Sequence, residues 1–583
     1  MKKRIAVIKK SYCNPIGCGD FLCVKLCPMN RTGSECIIQQ EGKPLIDESL
    51  CTGCGICSNR CPFEAISIIN LPSELQRDPI HRFGPNGFAL YSLPTPLFGK
   101  VVGIVGVNGI GKSTAIKILA GALKPNFGRN ESASYDELVE FFKGTEAQKF
   151  FEKVKQGEIK VAYKPQAVDQ IPKVFKGTVR ELLEKADETN KLDEIITLLE
   201  LTKIIDRSVE HISGGELQRV AIAATVLKDA NLYIFDEPTS YLDIKQRIKL
   251  SKFIRSLATP EKAVLIIEHD LIILDSMTDL THIMYGRESV YGMVSLPRTT
   301  RVGINAYLEG YIKEENVRFR DYKITFNTRP EEHNRETPLL CAWSNVKKKL
   351  GNFSLVAQKG ELRKHDVIGV LGENGIGKTS FVKILAKVDL PDEGEIDEKI
   401  KIAYKPQYLE STDELVMTFL GTAIQKFENQ LINPLNLKPL FYKKLNELSG
   451  GQLQKVTIAH CLSRDADLFL LDEPSAYLDV EQRLNVSKII ADLMDVTGKS
   501  CFVIDHDLLF IDYIARKIVV FDGVPAVNGI VKGPFTMEQG MNHFLADLKI
   551  TMRRDEDSSR PRVNKEDSRK DREQKSANKL YYT

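Results

Sequence analysis

The chain has no uninterrupted apolar run of the ~18 residues that a membrane-spanning helix needs. Its more apolar stretches are broken by charge, as Ala263 to Leu274 is by Glu268 and Asp270. The basic N-terminus (Lys2, Lys3, Arg4, Lys9, Lys10) encloses only the short apolar segment Ile5 to Ile8, too little for a signal-peptide core. A cytoplasmic location is therefore expected. Net charge is also small: 81 basic against 78 acidic residues leave +3 on 583 residues, so the whole-chain balance names no polyanionic partner. Cysteine is nearly missing after residue 61, where only Cys341, Cys461 and Cys501 occur. A disulfide framework spanning the chain is thus excluded. Cysteines packed into one end of such a chain read as metal ligands instead.

With 43% hydrophobic and 27% charged residues the composition is that of ordinary globular protein. The length exceeds one hydrophobic core and suggests three to four units at ~150 residues each. Internal repetition sets their organisation. GVNGIGKST (Gly106 to Thr114) returns as GENGIGKTS (Gly372 to Ser380), and AYKPQ ending at Gln166 returns ending at Gln407. SGGELQ at Ser213 returns as SGGQLQ at Ser449, FDEPTSYLD as LDEPSAYLD, and EHD around His269 as DHD around His506. Ser213 and Ser449 are 236 residues apart, as are Asp236 and Asp472, but Lys112 and Lys378 are 266 apart. The first copy therefore carries an insertion, about residues 130–157. Its segment YDELVEFFKGTEAQKFFEKVKQG has apolar spacing suited to two short amphipathic helices joined at Gly144.

Each G-x-x-x-x-G-K-[ST] string follows an apolar strand (VVGIV, VIGVL) and precedes a helix, the context of a phosphate-binding loop. Gly106, Asn108, Gly109 and Gly111, like Gly372, Asn374, Gly375 and Gly377, belong to loops whose backbone N–H groups can close around phosphates. Lys112 and Lys378 supply a point charge. Ser113 and Thr379, beside Thr114 and Ser380, offer a hydroxyl to Mg2+. In each copy a four-residue apolar run then ends in Asp-Glu. Asp236 and Asp472 are placed to hold Mg2+ through water, and Glu237 and Glu473 to polarise the attacking water. His269 and His506 recur after further apolar strands as candidate γ-phosphate contacts.

The SGG segments give the chain its resemblance to the ATP-binding-cassette family. The resemblance implies that Ser213, Gly214 and Gly215 serve the nucleotide on the second P-loop, and Ser449, Gly450 and Gly451 that on the first. It further implies two α/β P-loop ATPase domains arranged head-to-tail, Mg2+ sets completed by Gln166 and Gln407, and an aromatic stacked on each adenine. Phe83 and Phe88 are candidates at the first site and Phe353 at the second, with core packing as the competing role.

At the N-terminus, Cys51-x2-Cys54-x2-Cys57-x3-Cys61-Pro62 matches the bacterial ferredoxin run, in which the fourth cysteine ligates the other cluster. Upstream lies Cys13-x4-Cys18-x4-Cys23-x3-Cys27-Pro28. Crossing the fourth ligands gives Cys13, Cys18, Cys23 and Cys61 for one [4Fe–4S] cluster and Cys27, Cys51, Cys54 and Cys57 for the other. Cys36 is left over. Thiolates also suit zinc, but the Cys-Pro endings and tight spacing favour iron–sulfur clusters. In so small a module they are expected to act as staples rather than redox centres.

An iron–sulfur module fused to twin cassettes resembles ABC subfamily E, the RNase L inhibitor family of ribosome-recycling ATPases. The stretches CPFEAISIINLP (Cys61 to Pro72), HRFGPNGFAL (His81 to Leu90), YGMVSLPRTTRVGINAYLEGY (Tyr291 to Tyr311) and RRDEDSSRPRVNK (Arg553 to Lys565) carry that resemblance. It implies a soluble monomeric ATPase that splits ribosomes after termination or stalling. Such a protein acts with a release factor or its stalled-ribosome relative, and stays on the small subunit and its RNA until hydrolysis. The expected domains are a small α+β ferredoxin-like domain (1–75), a first cassette (76–290), a connector (291–345), a second cassette (346–535) and a tail (536–583). By composition the tail reads as disordered; the resemblance implies a packed hinge, and assigns the insertion to small-subunit contact. Cys18-x4-Cys23 departs from relatives with x3. ATP-coupled electron transfer is the alternative of a different class. A DNA-associated cassette is disfavoured because no sustained heptads occur, and a transporter subunit because no membrane domain is present.

Overall fold

The computed structural model describes residues 4–70, 78–326, 337–396, 400–407 and 412–582. Lys2, Lys3, the end of CPFEAISIINLP, residues 327–336 of the connector and Thr583 lie outside them. The chain divides into two compact units. Unit 1 comprises Met1–Pro238, Ile254–Glu268 and Thr278–Tyr322; unit 2 comprises Thr239–Phe253, His269–Met277 and Lys323–Thr583.

Five apolar runs of unit 1 pair in parallel, in the order Val161–Lys164, Leu232–Asp236, Ala263–Ile267, Val101–Val105 and Leu280–Arg287. Every residue of the three central strands is buried, as expected of parallel strands covered on both faces. Tyr291–Val294, Ala89–Leu90 and His81–Arg82 extend this nine-stranded sheet beyond Leu280–Arg287. The connector thus begins as a sheet strand. It continues as the helix Thr300–Glu309, closed by Gly310 at φ +73°.

The insertion forms helices Tyr135–Phe141 and Glu146–Lys155, with Gly144 in the left-handed region (φ +81°) between them. Ser134 caps the first: its hydroxyl accepts from Glu137 N–H while the Glu137 carboxylate accepts from Ser134 N–H. Phe142, Phe150 and Phe151 are buried in the core that also holds Val102, Ile116 and Leu119. The helix pair is therefore bonded to unit 1 by its aromatic face.

Within unit 1 the cysteine-rich segment pairs Arg4–Ile8 antiparallel with Ile66–Asn70, and adds the hairpin Ile37–Gln40/Lys43–Ile46. Short helices Leu22–Leu26, Pro28–Arg31 and Ile56–Arg60 carry the cysteines. Asn86, from HRFGPNGFAL, anchors this segment. Its amide donates to Ala6 O and Ile46 O (3.1 Å each) and its oxygen accepts from Ile46 N–H at 2.8 Å.

Unit 2 repeats the parallel centre as Ile402–Lys405, Leu468–Asp472, Ser500–Ile504, Val367–Leu371 and Lys517–Val524. Asn528–Thr536, Phe353–Ala357, Leu339–Leu350 and Gly360–Arg363 follow at its edge. The connector's far end, from Leu339, is accordingly already sheet.

The tail corrects its compositional reading. It folds as helix Met537–Leu548, hairpin Met552–Arg554/Pro561–Val563 and helix Arg569–Ser576. Composition misleads because a few of the charges are buried and paired, and these anchor a segment whose remaining charges stay exposed. Arg560 is fully buried and bonds Asp275 at 2.9 Å, Arg562 bonds Asp275 and Asp555, and buried Asp571 accepts from Thr551 at 2.6 Å. No helix among the described residues is long and apolar enough to cross a membrane.

Candidate functional site

Both phosphate loops sit where a central strand meets a helix. Val101–Val105 leads into helix Lys112–Leu119, and Val367–Leu371 into helix Lys378–Leu385. The turns need glycine. Gly111 and Gly377 stand at φ +94° and +93°, and a Cβ on Gly111 would lie 2.6 Å from the Phe88 ring, one on Gly377 2.9 Å from Phe353. Phe88 and Phe353 therefore hold matched places beneath the two loops, each half-buried, whereas Phe83 is 52% exposed and packs edge-on against His81.

Lys112 donates to Gly106 O and Val107 O at 2.8 Å, and lies 3.4 Å from Asn108 Oδ1. Lys378 repeats this with Gly372 O, Glu373 O and Asn374 Oδ1. Burial pushes the Lys378 ammonium down to about 8, against opposing carboxylates headed by Asp243. Thr379 Oγ1 donates to Asp472 at 2.9 Å, and Ser113 bonds Asp236. Each hydroxyl–carboxylate pair thus stands at the base of its phosphate loop, a donor set of hard oxygens that fits Mg2+. Burial, then the neighbouring Glu237, pushes the Asp236 carboxyl up to about 6; burial also raises those of Asp472 and Glu473.

Glu237 and Glu473 each accept at Oε1 from a glutamine amide, Gln166 and Gln407, at 2.8 Å. The parallel register sets the glutamates just past the ends of their strands, where Asp236 pairs with Ile267 and Asp472 with Ile504. His506 Nε2 lies 3.4 Å from Lys378 Nζ and 3.7 Å from Glu473 Oε1. Burial and the Lys378 and Arg247 cations hold its pKa well below the ordinary value, so the ring is neutral. His269 is buried in unit 2, with residues 269–277.

Ser213 and Ser449 cap the helices Gly214–Val226 and Gly450–Leu462, which begin at Gly214-Gly215 and Gly450-Gly451. Each serine Oγ accepts from the N–H three residues on, and the side chain there returns to the serine N–H. The helix start so formed has amides directed outward, an anion-binding geometry.

The sequence reasoning passed over several groups that the structure brings to these sites. Within unit 2, Asp243 Oδ2 accepts from Asn374 N–H at 3.1 Å, and Lys245 bonds Glu373 at 2.5 Å. Asp243 ends the repeated FDEPTSYLD string, which was its available signal. Lys164 and Lys405, and Gln218 and Gln454, reach the backbone of Glu237 and Glu473. They stand at matched places in AYKPQ and SGG-x-LQ.

Cys13, Cys18, Cys23 and Cys61 line one pocket with Cys57 and Phe63. Cys13 feels Cys61 and Cys18, and Cys57 feels Cys51 and Cys54, as near neighbours. Burial first, and then those neighbours, push the Cys57 thiol up to about 12. Such thiols stay protonated near neutral pH until a bound metal displaces the proton. Thiols grouped around an apolar-walled pocket fit an iron–sulfur unit, whose ligands are thiolates. Cys36, the residue left over, is buried against Cys27 and Cys51.

The 4Fe-4S binding domain family matches residues 44–67, and the ABC transporter family matches 98–240 and 356–476. The chain is 44% identical to ABC transporter E family member 1 of Arabidopsis thaliana, across 99% of this chain and 98% of that one. It belongs to ABC subfamily E. An archaeal structure described as ribosome-bound Pelota and ABCE1 superposes with TM-score 0.95, at 50% identity, over 100% of this chain and 99% of that one. An archaeal ribosome recycling factor, aABCE1, crystallised with ribosomal stalk protein aP1, matches at TM-score 0.83 and 50% identity, over 88% of this chain and 100% of that one. As a subfamily E member the chain is an ABC ATPase with two cassettes and a ferredoxin-like 4Fe–4S domain.

Proposed function

We propose that this chain is a cytoplasmic ribosome-recycling ATPase, which splits ribosomes into subunits after termination or stalling and remains on the small subunit until hydrolysis. The observation that supports this most is the correspondence along the whole chain with an archaeal ABCE1 described as ribosome-bound. A Pelota-like or release-factor partner follows from the same source, as does a stalk-protein contact from the archaeal recycling factor.

At each cassette the chain's own groups divide the work. Loop amides and Lys112 or Lys378 hold the terminal phosphates, while Phe88 and Phe353, or the more exposed Phe83, flank the adenine. Ser113, Asp236 and Gln166, and Thr379, Asp472 and Gln407, would hold Mg2+, which when bound draws charge from the phosphoryl oxygens. Glu237 and Glu473 polarise the attacking water. Neutral His506 can accept a hydrogen bond from that water or face the γ-phosphate, and His269 takes the same part at its site. The SGG helix starts contribute further amides to nucleotide held by the other cassette. Loss of γ-phosphate contacts on hydrolysis then releases the closed state. Cys13, Cys18, Cys23 and Cys61, and Cys27, Cys51, Cys54 and Cys57, would hold two [4Fe–4S] clusters. Bound there, the clusters would cross-link the three short helices into a rigid module that moves as one body when the cassettes close. Boundaries near residues 75, 290, 345 and 535 separate the working parts.

The test is sedimentation of ribosomes incubated with anaerobically purified chain, ATP and a release factor. Subunit separation that requires ATP is expected. ATP hydrolysis without separation or subunit binding would overturn the assignment, and leave ATP-coupled electron transfer as the reading to pursue.

A further inference from the structure

The residues that carry Glu237 and Glu473 stand in an unusual backbone state. Both have φ +47°, a left-handed conformation that a non-glycine residue adopts only when its surroundings hold it there. Those surroundings are the same in the two units. Glu237 N–H donates to Ile267 O at 3.0 Å, and Glu473 N–H to Ile504 O at 2.8 Å. On the other side of the residue, Glu237 O accepts from Gln218 Nε2 at 2.8 Å and from Lys164 Nζ at 3.4 Å. Glu473 O accepts from Gln454 at 2.7 Å and from Lys405 at 3.3 Å. Each ammonium also bonds the preceding carbonyl, Asp236 O at 3.0 Å or Asp472 O at 2.7 Å.

These lysines are costly residues to keep. Lys164 is 0% and Lys405 1% exposed, in a place where an apolar side chain would satisfy the fold without desolvating a cation. Neither lies in a phosphate loop. Each stands one register step back on the adjacent strand, Lys164 opposite Phe235 and Lys405 opposite Leu471. From there the stem runs along the sheet and the head turns onto the Asp-Glu carbonyls. The arrangement occurs twice in one chain, and both copies aim at the same two peptide groups.

We infer that Lys164 and Lys405 are positioning residues for ATP hydrolysis, fixing the left-handed backbone of Glu237 and Glu473 and so aiming their carboxylates. They act through the glutamates, whose carbonyls their ammonium groups hold. The inference rests on the reading of Glu237 and Glu473 as the water-polarising groups. It predicts that loss of the ammonium slows the chemical step and spares nucleotide binding, because small misplacement of a catalytic group can cost about a hundredfold in rate.

The experiment compares wild type with Lys164→Met/Lys405→Met, which keeps stem volume and removes the donor, in the full chain. Steady-state and single-turnover hydrolysis are measured beside binding of a fluorescent ATP analogue. The expected result is a fall in turnover of about tenfold to a hundredfold with analogue affinity unchanged. Added to Glu237→Gln/Glu473→Gln, the lysine changes are expected to cause no further fall, as for groups acting as one unit. Unchanged turnover, a matching loss of affinity, or a further fall in the glutamine background would overturn the inference. Glu237→Gln/Glu473→Gln alone tests the underlying reading: if it hydrolyses normally, that reading fails irrespective of the lysines. Should the methionine variant not fold, as judged by circular dichroism, Gln218→Met/Gln454→Met removes the companion donor from the same carbonyls. It must show the same loss of turnover at unchanged affinity, and wild-type turnover there would overturn the inference.

Discussion

Asp275→Asn removes the charge that holds the tail's hairpin. Asp275 is nearly buried and accepts from Arg560 at 2.9 Å and from Arg562 at 2.6 and 3.1 Å. Arg562 keeps a second carboxylate, Asp555 at 3.0 Å, but Arg560 is fully buried and loses the carboxylate it bonds. Stripping one member from a buried pair costs about 3–5 kcal/mol, mostly for the charge left behind. At 1.4 kcal/mol per decade, even the lower figure raises the open population of the hairpin by about a hundredfold. Amide exchange in Met552–Arg554 and Pro561–Val563 reads that population directly. Replacing both members by apolar residues, Asp275→Leu with Arg560→Met, is expected to recover most of the protection, since no buried charge remains unpaired. Exchange within about twofold of wild type in Asp275→Asn would show that the buried pair does not hold the hairpin. Asp512 is the internal comparison: it stands six residues after His506, as Asp275 does after His269, and accepts from Tyr581 and from Tyr582 at 2.7 Å. Tyr582→Phe removes one hydrogen bond to a charged group and should cost about 1.5–3 kcal/mol, read as faster exchange at the chain's end.

Asn86→Leu is expected to loosen the cysteine-rich segment by about 1–3 kcal/mol for each buried backbone group it leaves unpaired, read as faster proteolysis within residues 4–70 at unchanged basal ATP turnover. Cys61→Ser should reduce bound iron and labile sulfide, whereas Cys36→Ser should leave both unchanged; equal loss from the two would contradict the ligand scheme. For Asp236, the folded carboxyl at about 6 lies above its ordinary 3.8, so the native state holds a proton that the unfolded state has lost between those values. Its burial therefore destabilises nucleotide-free protein fully above pH 6, and the penalty is relieved as pH falls from 6 toward 4. Asp236→Asn should raise the melting temperature at pH 7.5, with a benefit that shrinks at pH 5; a constant or inverted difference would contradict the sign.

Much of the architecture is legible because local pattern and tertiary demand agree. VVGIV and VIGVL are strands in any reading, and a glycine-lysine turn after each can only lead into a helix. YDELVEFFKG and its sequel carry caps, a glycine and aromatic spacing that all point to a helix pair. The tail shows where composition fails. Counting charge assumes solvated side chains, but Arg560, Asp555 and Asp571 are buried and paired, Arg560 with Asp275, 285 residues away. Lys164 and Lys405 escaped notice for a related reason. A lysine within a strand reads as an edge or a solvated face, and only the fold shows the head turned inward onto two carbonyls. Repetition was the signal available, since AYKPQ recurs with its lysine at the same distance from the glutamine. Asp243 carried a signal as the last residue of a repeated string, but its bond to Asn374 joins residues 131 apart and only the fold shows it.

Hydrolysis by this chain is proposed to end its stay on the small subunit after splitting. The most direct measurement is sedimentation of ribosomes with ATP, a release factor and Glu237→Gln/Glu473→Gln, beside wild type. Both are expected to split ribosomes, after which wild type leaves while the double variant remains on small subunits. A double variant that splits ribosomes and dissociates as readily as wild type would contradict that proposal.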